Sequence, residues 1–140
     1  MKKSYTIVLG VIGVDAHVVG NKIMHFALEQ EGFRVVNIGT FVSQDDFIKA
    51  AIETAADAIC AASLCGHGEL DLIGFRSHCV EAGISDILLV AGGNLVVGKQ
   101  DWEEVRQRFE KMGFDRVYPP GVSPRVVMED IKRDLDSRKG

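Results

Sequence analysis

The residues with the clearest capacity for chemistry lie in a short segment between glycines near the N-terminus. Asp15 and His17 stand two residues apart, and Gly13 and Gly20 flank them. A neutral imidazole binds a metal ion through one ring nitrogen, and a carboxylate accepting from the other nitrogen fixes its tautomer and raises its basicity. The alternative is that His17 caps the next helix and Asp15 is an ordinary turn residue. The spacing alone leaves both interpretations open.

A second glycine-containing segment lies later in the chain. Gly93-x4-Gly98-Lys99 has the spacing of a phosphate-binding P-loop, but Gln100 offers Mg²⁺ no hydroxyl and the middle of the segment is apolar. The sequence therefore excludes a P-loop. The adjacent Gly92 and Gly93 indicate instead a place where a ligand lies against bare backbone.

A third segment, Ala61-Ala62-Ser63, has small residues that leave room for a bulky group. A phospho-receiver domain would need an acidic residue at this point, so the alanines exclude that function. No G-x-G-x-x-G follows the first predicted strand, and a dinucleotide site is unsupported. The three cysteines have no C-x-x-C spacing, which indicates neither a zinc site nor a disulfide framework.

These segments follow strands in a repeating pattern of strand and helix. Short apolar or β-branched runs predict strands at Tyr5–Leu9, Arg34–Ile38, Ala58–Ala62, Asp86–Val90 and Arg116–Tyr118. Helical periodicity predicts helices at Val19–Glu31, Ser43–Ala55, Leu70–Ala82, Trp102–Lys111 and Ser123–Asp136. The predicted helix boundaries agree with a capping box at Ser43, with Pro124 after Ser123, and with C′ glycines at 32, 83 and 113.

Five strand–helix units with short connections predict an α/β fold, a flavodoxin-like doubly wound parallel sheet with helices on both faces. The strand order expected at this length is 2-1-3-4-5. In that order a ligand crevice opens where strands 1 and 3 diverge, outside their carboxyl ends. The segments described above follow strands 1, 3 and 4, so the fold would bring them together at one edge.

Length and composition limit the classes of function. The 140 residues predict a single domain, residues 1–140, and are too few for a complete (β/α)₈ barrel. A net charge of −4 without a basic stripe predicts no nucleic-acid or anionic-membrane surface. No apolar run approaches the ~18 residues of a spanning helix. A reducing cytoplasm is the expected location.

Taken together, the residues of these loops resemble the cobalamin-binding signature D-x-H-x-x-G … S-x-L … G-G. The matching residues are Asp15, His17, Gly20, Leu64, Gly92 and Gly93. The chain is also similar to the glutamate mutase small-subunit family from near its first residue to about Pro124. The segments of closer similarity are V-L-G-V-I-G-V-D-A-H-V-V-G-N-K-I, D-D-F-I-K-A-A-I-E-T, G-G-N-L-V-V-G-K-Q and M-G-F-D-R-V-Y-P-P-G.

The resemblance implies that adenosylcobalamin binds with its own base displaced from cobalt. His17 would be the lower axial cobalt ligand, and Asp15 would orient it. Val14, Ala16 and Val18 would line the lower face of the corrin. The displaced nucleotide tail would occupy a slot between the sheet and a flanking helix. The residues expected around that slot and its rim are Gly20, Ala62, Ser63, Leu64, Gly92, Gly93, Asn94, Leu95, Val96, Val97, Gly98, Tyr118, Pro119 and Gly121.

One position departs from the signature. Where the signature has serine this sequence has Ala62, followed by Ser63. The family hydroxyl is thought to bind the base of the tail, and neighbouring strand residues point to opposite faces, so Ser63 is a doubtful substitute. Loss of one neutral hydrogen bond costs about 1 kcal/mol, which weakens binding several-fold without abolishing the site.

The implied function is that of an isomerase subunit, inactive alone, in the interconversion of L-glutamate and threo-3-methylaspartate. The substrate site would lie on a separate large subunit of barrel fold, in a heterotetramer of two small and two large subunits. An apolar rim formed by Val14, Val18, Leu64 and Tyr118–Pro120 would dock that subunit.

Three alternative functions remain. The first is the small subunit of an acyl-CoA mutase of the methylmalonyl-CoA type, although the P-P-G and V-V-G-K-Q segments favour glutamate mutase. The second is a corrinoid methyl carrier, which usually has a helical bundle before this domain, whereas here the first predicted strand starts by Tyr5. The third is a flavodoxin-like domain that binds no cobalamin.

Overall fold

The computed structural model describes residues 5–12, 19–63, 71–92, 101–119 and 122–139. The strands among these residues are β1 (Thr6–Val11), β2 (Arg34–Asn37), β3 (Ala58–Ala62), β4 (Leu88–Gly92) and β5 (Arg116–Val117). The helices are α1 (Val19–Gln30), α2 (Gln44–Thr54), α3 (Phe75–Glu81), α4 (Trp102–Lys111) and α5 (Pro124–Lys139).

The strands form one parallel sheet in the order β2-β1-β3-β4-β5, which confirms the predicted topology. The register places Val11 beside Ala62, and Ala62 beside Gly92. Because all strands run in the same direction, their carboxyl ends meet at one edge of the sheet. The chain segments that follow β1, β3 and β4 therefore start next to one another.

Helices cover both faces of the sheet, and alternation along each strand divides the core in two. The first half, which we call the α2 face, is covered by α2, α3 and α4. Its fully buried side chains include Val8, Phe47, Ile59, Phe75, Leu89 and Phe109. The second half, the α1 face, is covered by α1 and α5. Its buried side chains include Ile7, Leu9, Leu28, Cys60, Val90, Ile131 and Leu135. Each such side chain stabilises the fold by about 1.5–3 kcal/mol.

The helix signals read from the sequence are confirmed at several ends. Ser43 Oγ accepts from the backbone of Asp46, and the Asp46 carboxylate accepts from the backbone of Ser43, which forms the predicted capping box. The Arg125 amide donates to Ser123 Oγ at the start of α5. The three glycines predicted to follow helices all have a positive φ, namely Gly32, Gly83 and Gly113.

Several predicted elements differ in extent from the observed ones, and two of these differences have a clear local cause. The single helix expected over Leu70–Ala82 is interrupted, because Gly74 adopts a left-handed φ of 76° and α3 starts after it. Residues 71–72 form a separate helical turn, and Leu70 lies outside the described residues. The fourth strand, expected over Asp86–Val90, starts two residues later. A turn closed by the Ile87 amide on the Ile84 carbonyl delays it.

Candidate functional site

The carboxyl edge of the sheet is the place where the predicted site residues converge. The Ile12 amide donates to the Ala62 carbonyl at 2.9 Å, and the Ser63 amide donates to the Gly92 carbonyl at 3.1 Å. These bonds extend the ladder one residue past β1 and β3. The segments that would carry the metal ligand and the glycine pair therefore leave the sheet on either side of β3.

Most of the predicted ligand-binding residues lie outside the described part of the chain. They are Val14, Asp15, Ala16, His17, Val18, Leu64, Gly93, Asn94, Leu95, Val96, Val97, Gly98 and Gly121. The described ones are Gly20, Ala62, Ser63, Gly92, Tyr118 and Pro119. Gly20 is the second residue of α1, and the other five lie at the carboxyl edge of β3, β4 and β5.

Ala62 and Gly92 lie side by side on the α1 face, where they would form the floor of the expected tail slot. Cys60 and Val90, two residues earlier on each strand, belong to the core of that face, so alternation places Ala62 and Gly92 on the same side. Among the described residues, the atom nearest to a Cβ added at Gly92 would be Tyr118 Cβ at 3.8 Å. Among the described residues, the methyl group of Ala62 and the bare backbone of Gly92 therefore leave room at this edge. A flat apolar ring fits against such a surface, as the nucleotide tail would require.

Ser63 does not face that slot. Its side chain is buried, and Oγ donates to the Asp71 carboxylate at 3.4 Å. Ala61, two residues earlier, belongs to the core of the α2 face, so Ser63 lies on the side opposite to Ala62. The hydroxyl adjacent to the signature position is therefore engaged on the other side of the sheet.

Tyr118 lies next to Gly92 on the β5 side of the expected slot and is held in place by α5. The ring is buried, and its hydroxyl donates to Asp130 Oδ2 at 2.6 Å. Burial and the Asp130 carboxylate raise the pKa of this phenol well above its usual range, so it stays protonated. Nearby, Arg116 forms two hydrogen bonds with Asp134 at 2.8 and 2.9 Å. These contacts tie the end of β5 to α5.

The described histidines and cysteines already have structural roles. His25 contacts Asn37 at 3.0 Å and Glu29 at 3.3 Å, and His78 contacts Gln44 at 3.1 Å. Cys60 is buried with its pKa raised to about 12 by desolvation, which makes it an inert thiol. Across the described ranges, no group of three or more His, Cys, Asp or Glu could hold a metal ion.

None of the helices in the described ranges is both long enough and apolar enough to span a lipid bilayer.

Comparison with known proteins supports the class of site that this edge indicates. A family model described as B12 binding domain matches residues 5–125. In solved structures, a cobalamin-binding protein from Desulfitobacterium hafniense DCB-2 superposes with a TM-score of 0.75 at 20% identity, covering 94% of this chain and 59% of that one. At that identity the likeness shows the shared fold. The fold and the family match together define a B12-binding domain.

Curated relatives narrow the class further. The glutamate mutase sigma subunit of Clostridium tetanomorphum is 60% identical over 130 residues, covering 93% of this chain and 95% of the relative. The sigma subunit of Carboxydothermus hydrogenoformans is 53% identical over 133 residues, covering 95% and 97%. The chain belongs to the family of glutamate mutase sigma subunits.

Proposed function

We propose that this chain is the cobalamin-binding subunit of an adenosylcobalamin-dependent glutamate mutase, an isomerase that interconverts L-glutamate and threo-3-methylaspartate. The observation that carries the proposal is the 60% identity to a sigma subunit over nearly the full length of both chains. The slot above Ala62 and Gly92 supports it, because small paired residues at the carboxyl edge suit the tail of cobalamin. The whole chain, residues 1–140, would serve as one domain in the cytoplasm.

His17 would bind cobalt from below, and Asp15 would hold its second ring nitrogen. A carboxylate partner makes the imidazole a better donor and fixes which nitrogen is free. When bound, adenosylcobalamin would supply radical chemistry. This chain would orient the cofactor through its lower face and would add no general base or substrate clamp of its own.

The tail would lie on the α1 face between the sheet and α1. Gly20, near the start of α1, would allow close passage, and Ala62, Leu64, Gly92 and Gly93 would border the pocket. The segment Asn94–Gly98 would close over the tail, and Tyr118, Pro119 and Gly121 would complete the rim. Of these, Tyr118 already has a fixed position through Asp130.

The substrate would bind on a separate large subunit of barrel fold, in an assembly of two small and two large subunits. The expected docking surface is the apolar rim formed by Val14, Val18, Leu64 and Tyr118–Pro120. Two exposed apolar side chains of the same edge, Phe41 at 60% and Ile73 at 62%, support an interface there. Covering this edge would keep water from the reacting face of the cofactor.

The proposal is tested with the purified chain and with the large subunit of a glutamate mutase whose sigma subunit is related to this chain. Titration with adenosylcobalamin should change the cobalamin absorbance spectrum, and addition of the large subunit should then give glutamate mutase activity. Affinity between the subunits should rise when cofactor is present, since the two binding events are linked. Activity of the chain alone, activity only on an acyl-CoA substrate, or no spectral change would contradict it.

A further inference from the structure

The side chains at the carboxyl edge of the α1 face change abruptly in size between β4 and β5. Ala62 lies beside Gly92 in the register of β3 and β4. The Tyr118 amide donates to the Ala91 carbonyl at 2.9 Å, which continues the register of β4 and β5 and brings Tyr118 level with Gly92. The row across three strands therefore runs from a methyl group to no side chain and then to a buried phenol. A flat group lying on Ala62 and Gly92 would be bounded by Tyr118 on its β5 side.

A carboxylate of α5 holds the Tyr118 ring from its far end. The Tyr118 hydroxyl donates to Asp130 Oδ2 at 2.6 Å, which is the length of a charge-assisted hydrogen bond. Arg133 donates to Asp130 Oδ1 at 3.1 Å, and the Arg116 guanidinium lies 3.9 Å from Oδ2, so both carboxylate oxygens have a cation nearby. The sheet fixes the backbone of Tyr118 and α5 fixes its hydroxyl. The ring is therefore tethered at both ends and turned toward α5.

A second phenol–carboxylate pair lies at the opposite edge of the same face. The Tyr5 hydroxyl donates to Asp136 Oδ1, also at 2.6 Å, and Asp136 lies further along α5 than Asp130. Tyr5 directly precedes β1 and so lies at the amino edge of the sheet. The two pairs contain both tyrosines of the chain. They share their chemistry, their length and their helix, and they differ in which edge of the sheet they occupy.

We propose that Asp130 is a positioning residue for cofactor binding, which acts through the Tyr118 hydroxyl to keep the ring turned toward α5 and off Gly92. This inference rests on the proposed function, in which the nucleotide tail lies on Ala62 and Gly92. Without the hydrogen bond, rotation about the side-chain dihedrals of Tyr118 can bring its ring over Gly92, which has no side chain of its own to prevent this. The ring would then occupy the place of the tail.

The size of the effect follows from the strength of the bond. A cofactor that needs one arrangement of the ring binds with an affinity reduced by the fraction of molecules in that arrangement. Loss of a hydrogen bond to a charged group should lower that fraction by about tenfold. A neutral acceptor at the same position gives a bond about half as strong, and should lower it by about threefold.

The test compares the affinities of cobalamin and of cobinamide, which lacks the tail, for variants of the full chain. Asp130→Ala removes the acceptor, and Asp130→Asn keeps an oxygen that accepts from the phenol as a neutral group. Tyr118→Phe removes the donor and keeps the ring. The matched controls are Asp136→Ala and Tyr5→Phe, which remove the second phenol–carboxylate pair. Absorbance titrations give the dissociation constants.

We expect Asp130→Ala and Tyr118→Phe each to weaken cobalamin binding by about tenfold and Asp130→Asn by about threefold. The double variant of Asp130→Ala and Tyr118→Phe should lose no more than either single variant, because both remove the same bond. Cobinamide affinity should not change in any of them. Asp136→Ala and Tyr5→Phe should bind cobalamin as the wild type does, since a loss of stability alone does not act on the tail.

A spectroscopic measurement tests the same contact directly. Tyrosine labelled with ¹³C gives signals from two residues, and Tyr118→Phe identifies those of Tyr118. Cobalamin should shift the Tyr118 signals of the wild type and leave those of Tyr5 in place, whereas cobinamide should shift neither. In Asp130→Ala without cofactor, the Tyr118 signals should already differ from those of the wild type.

The outcomes separate this inference from the proposed function. If the wild type binds cobalamin and Asp130→Ala binds it equally well, or if Asp136→Ala loses as much affinity as Asp130→Ala, the role of Asp130 is overturned and the function stands. If the wild type gives no spectral change with cobalamin, the proposed function fails and this inference fails with it. If Asp130→Ala does not fold, the comparison of Tyr118→Phe and Asp130→Asn with Tyr5→Phe decides between the same outcomes.

Discussion

Ala62 on β3 lies beside Gly92 on β4 in the parallel register, at the carboxyl ends of two central strands and on the face covered by α1 and α5. Neither residue has a side chain larger than a methyl group, and no hydroxyl is present at either position. The small residues expected at a cobalamin tail slot are therefore present, while the hydroxyl of the signature serine is not.

Replacing Ala62 with serine should restore that hydroxyl and its hydrogen bond. We expect Ala62→Ser to tighten cobalamin binding by about tenfold at most, which corresponds to one neutral hydrogen bond. The measurement is an absorbance titration. Cobinamide, which lacks the nucleotide tail, is the control ligand, and its affinity should not change. Equal cobalamin affinity of the wild type and Ala62→Ser would show that another group already forms a hydrogen bond with the base of the tail.

Two substitutions at Gly92 should distinguish an effect on the stability of the fold from an effect on cobalamin binding. Gly92→Ala should fold with a free energy of unfolding within about 1 kcal/mol of the wild type, because the added Cβ meets only ordinary contacts. Gly92→Leu should weaken cobalamin binding by about tenfold or more while cobinamide still binds. Thermal unfolding and the two titrations measure this. Undiminished cobalamin binding by Gly92→Leu would place the tail elsewhere.

The fold and the site differ in how far the sequence predicts them. The sheet order follows from alternating apolar runs, and the bounds of β3 and α4 match the prediction, because local periodicity and capping determine them. The break at Gly74 was missed because periodicity continues through it, and only the positive φ reveals the turn. Asp130 carried no local signal, since its partner Tyr118 lies on another element of the fold. The opposite orientation of Ser63 and Ala62 could be predicted, because strand alternation is itself a local rule.

The ion pair that ties β5 to α5 should make stability depend on pH in the acid range. The hydrogen bond from Arg116 holds the pKa of Asp134 below its ordinary value of 3.8. A carboxylate with a lowered pKa contributes stability above its unfolded pKa, and this contribution is lost as the pH falls through the folded pKa. Asp134→Asn should therefore lower the free energy of unfolding by up to about 1 kcal/mol at pH 7, since the pair is partly exposed.

Urea unfolding at pH 7 and at a pH below the lowered pKa of Asp134 checks this. The difference between the wild type and Asp134→Asn should disappear at the acid pH. Glu103→Gln, which removes an exposed pair with Arg106 on α4, is the control and should have a smaller effect at pH 7. If the difference in the free energy of unfolding persists unchanged at the acid pH, the stability lost in Asp134→Asn comes from packing and not from charge.

The central claim is that His17 binds cobalt, and electron paramagnetic resonance of the Co(II) state tests it most directly. The chain has four histidines, and the rings of His25 and His78 already have protein partners. Cobalamin is bound to the chain, reduced, and compared between unlabelled protein and protein with ¹⁵N-histidine. The superhyperfine pattern should change with the label and should be lost in His17→Gly, whereas His25→Gln should keep it. A pattern that the label leaves unchanged would show that the axial nitrogen is not histidine and would contradict the account.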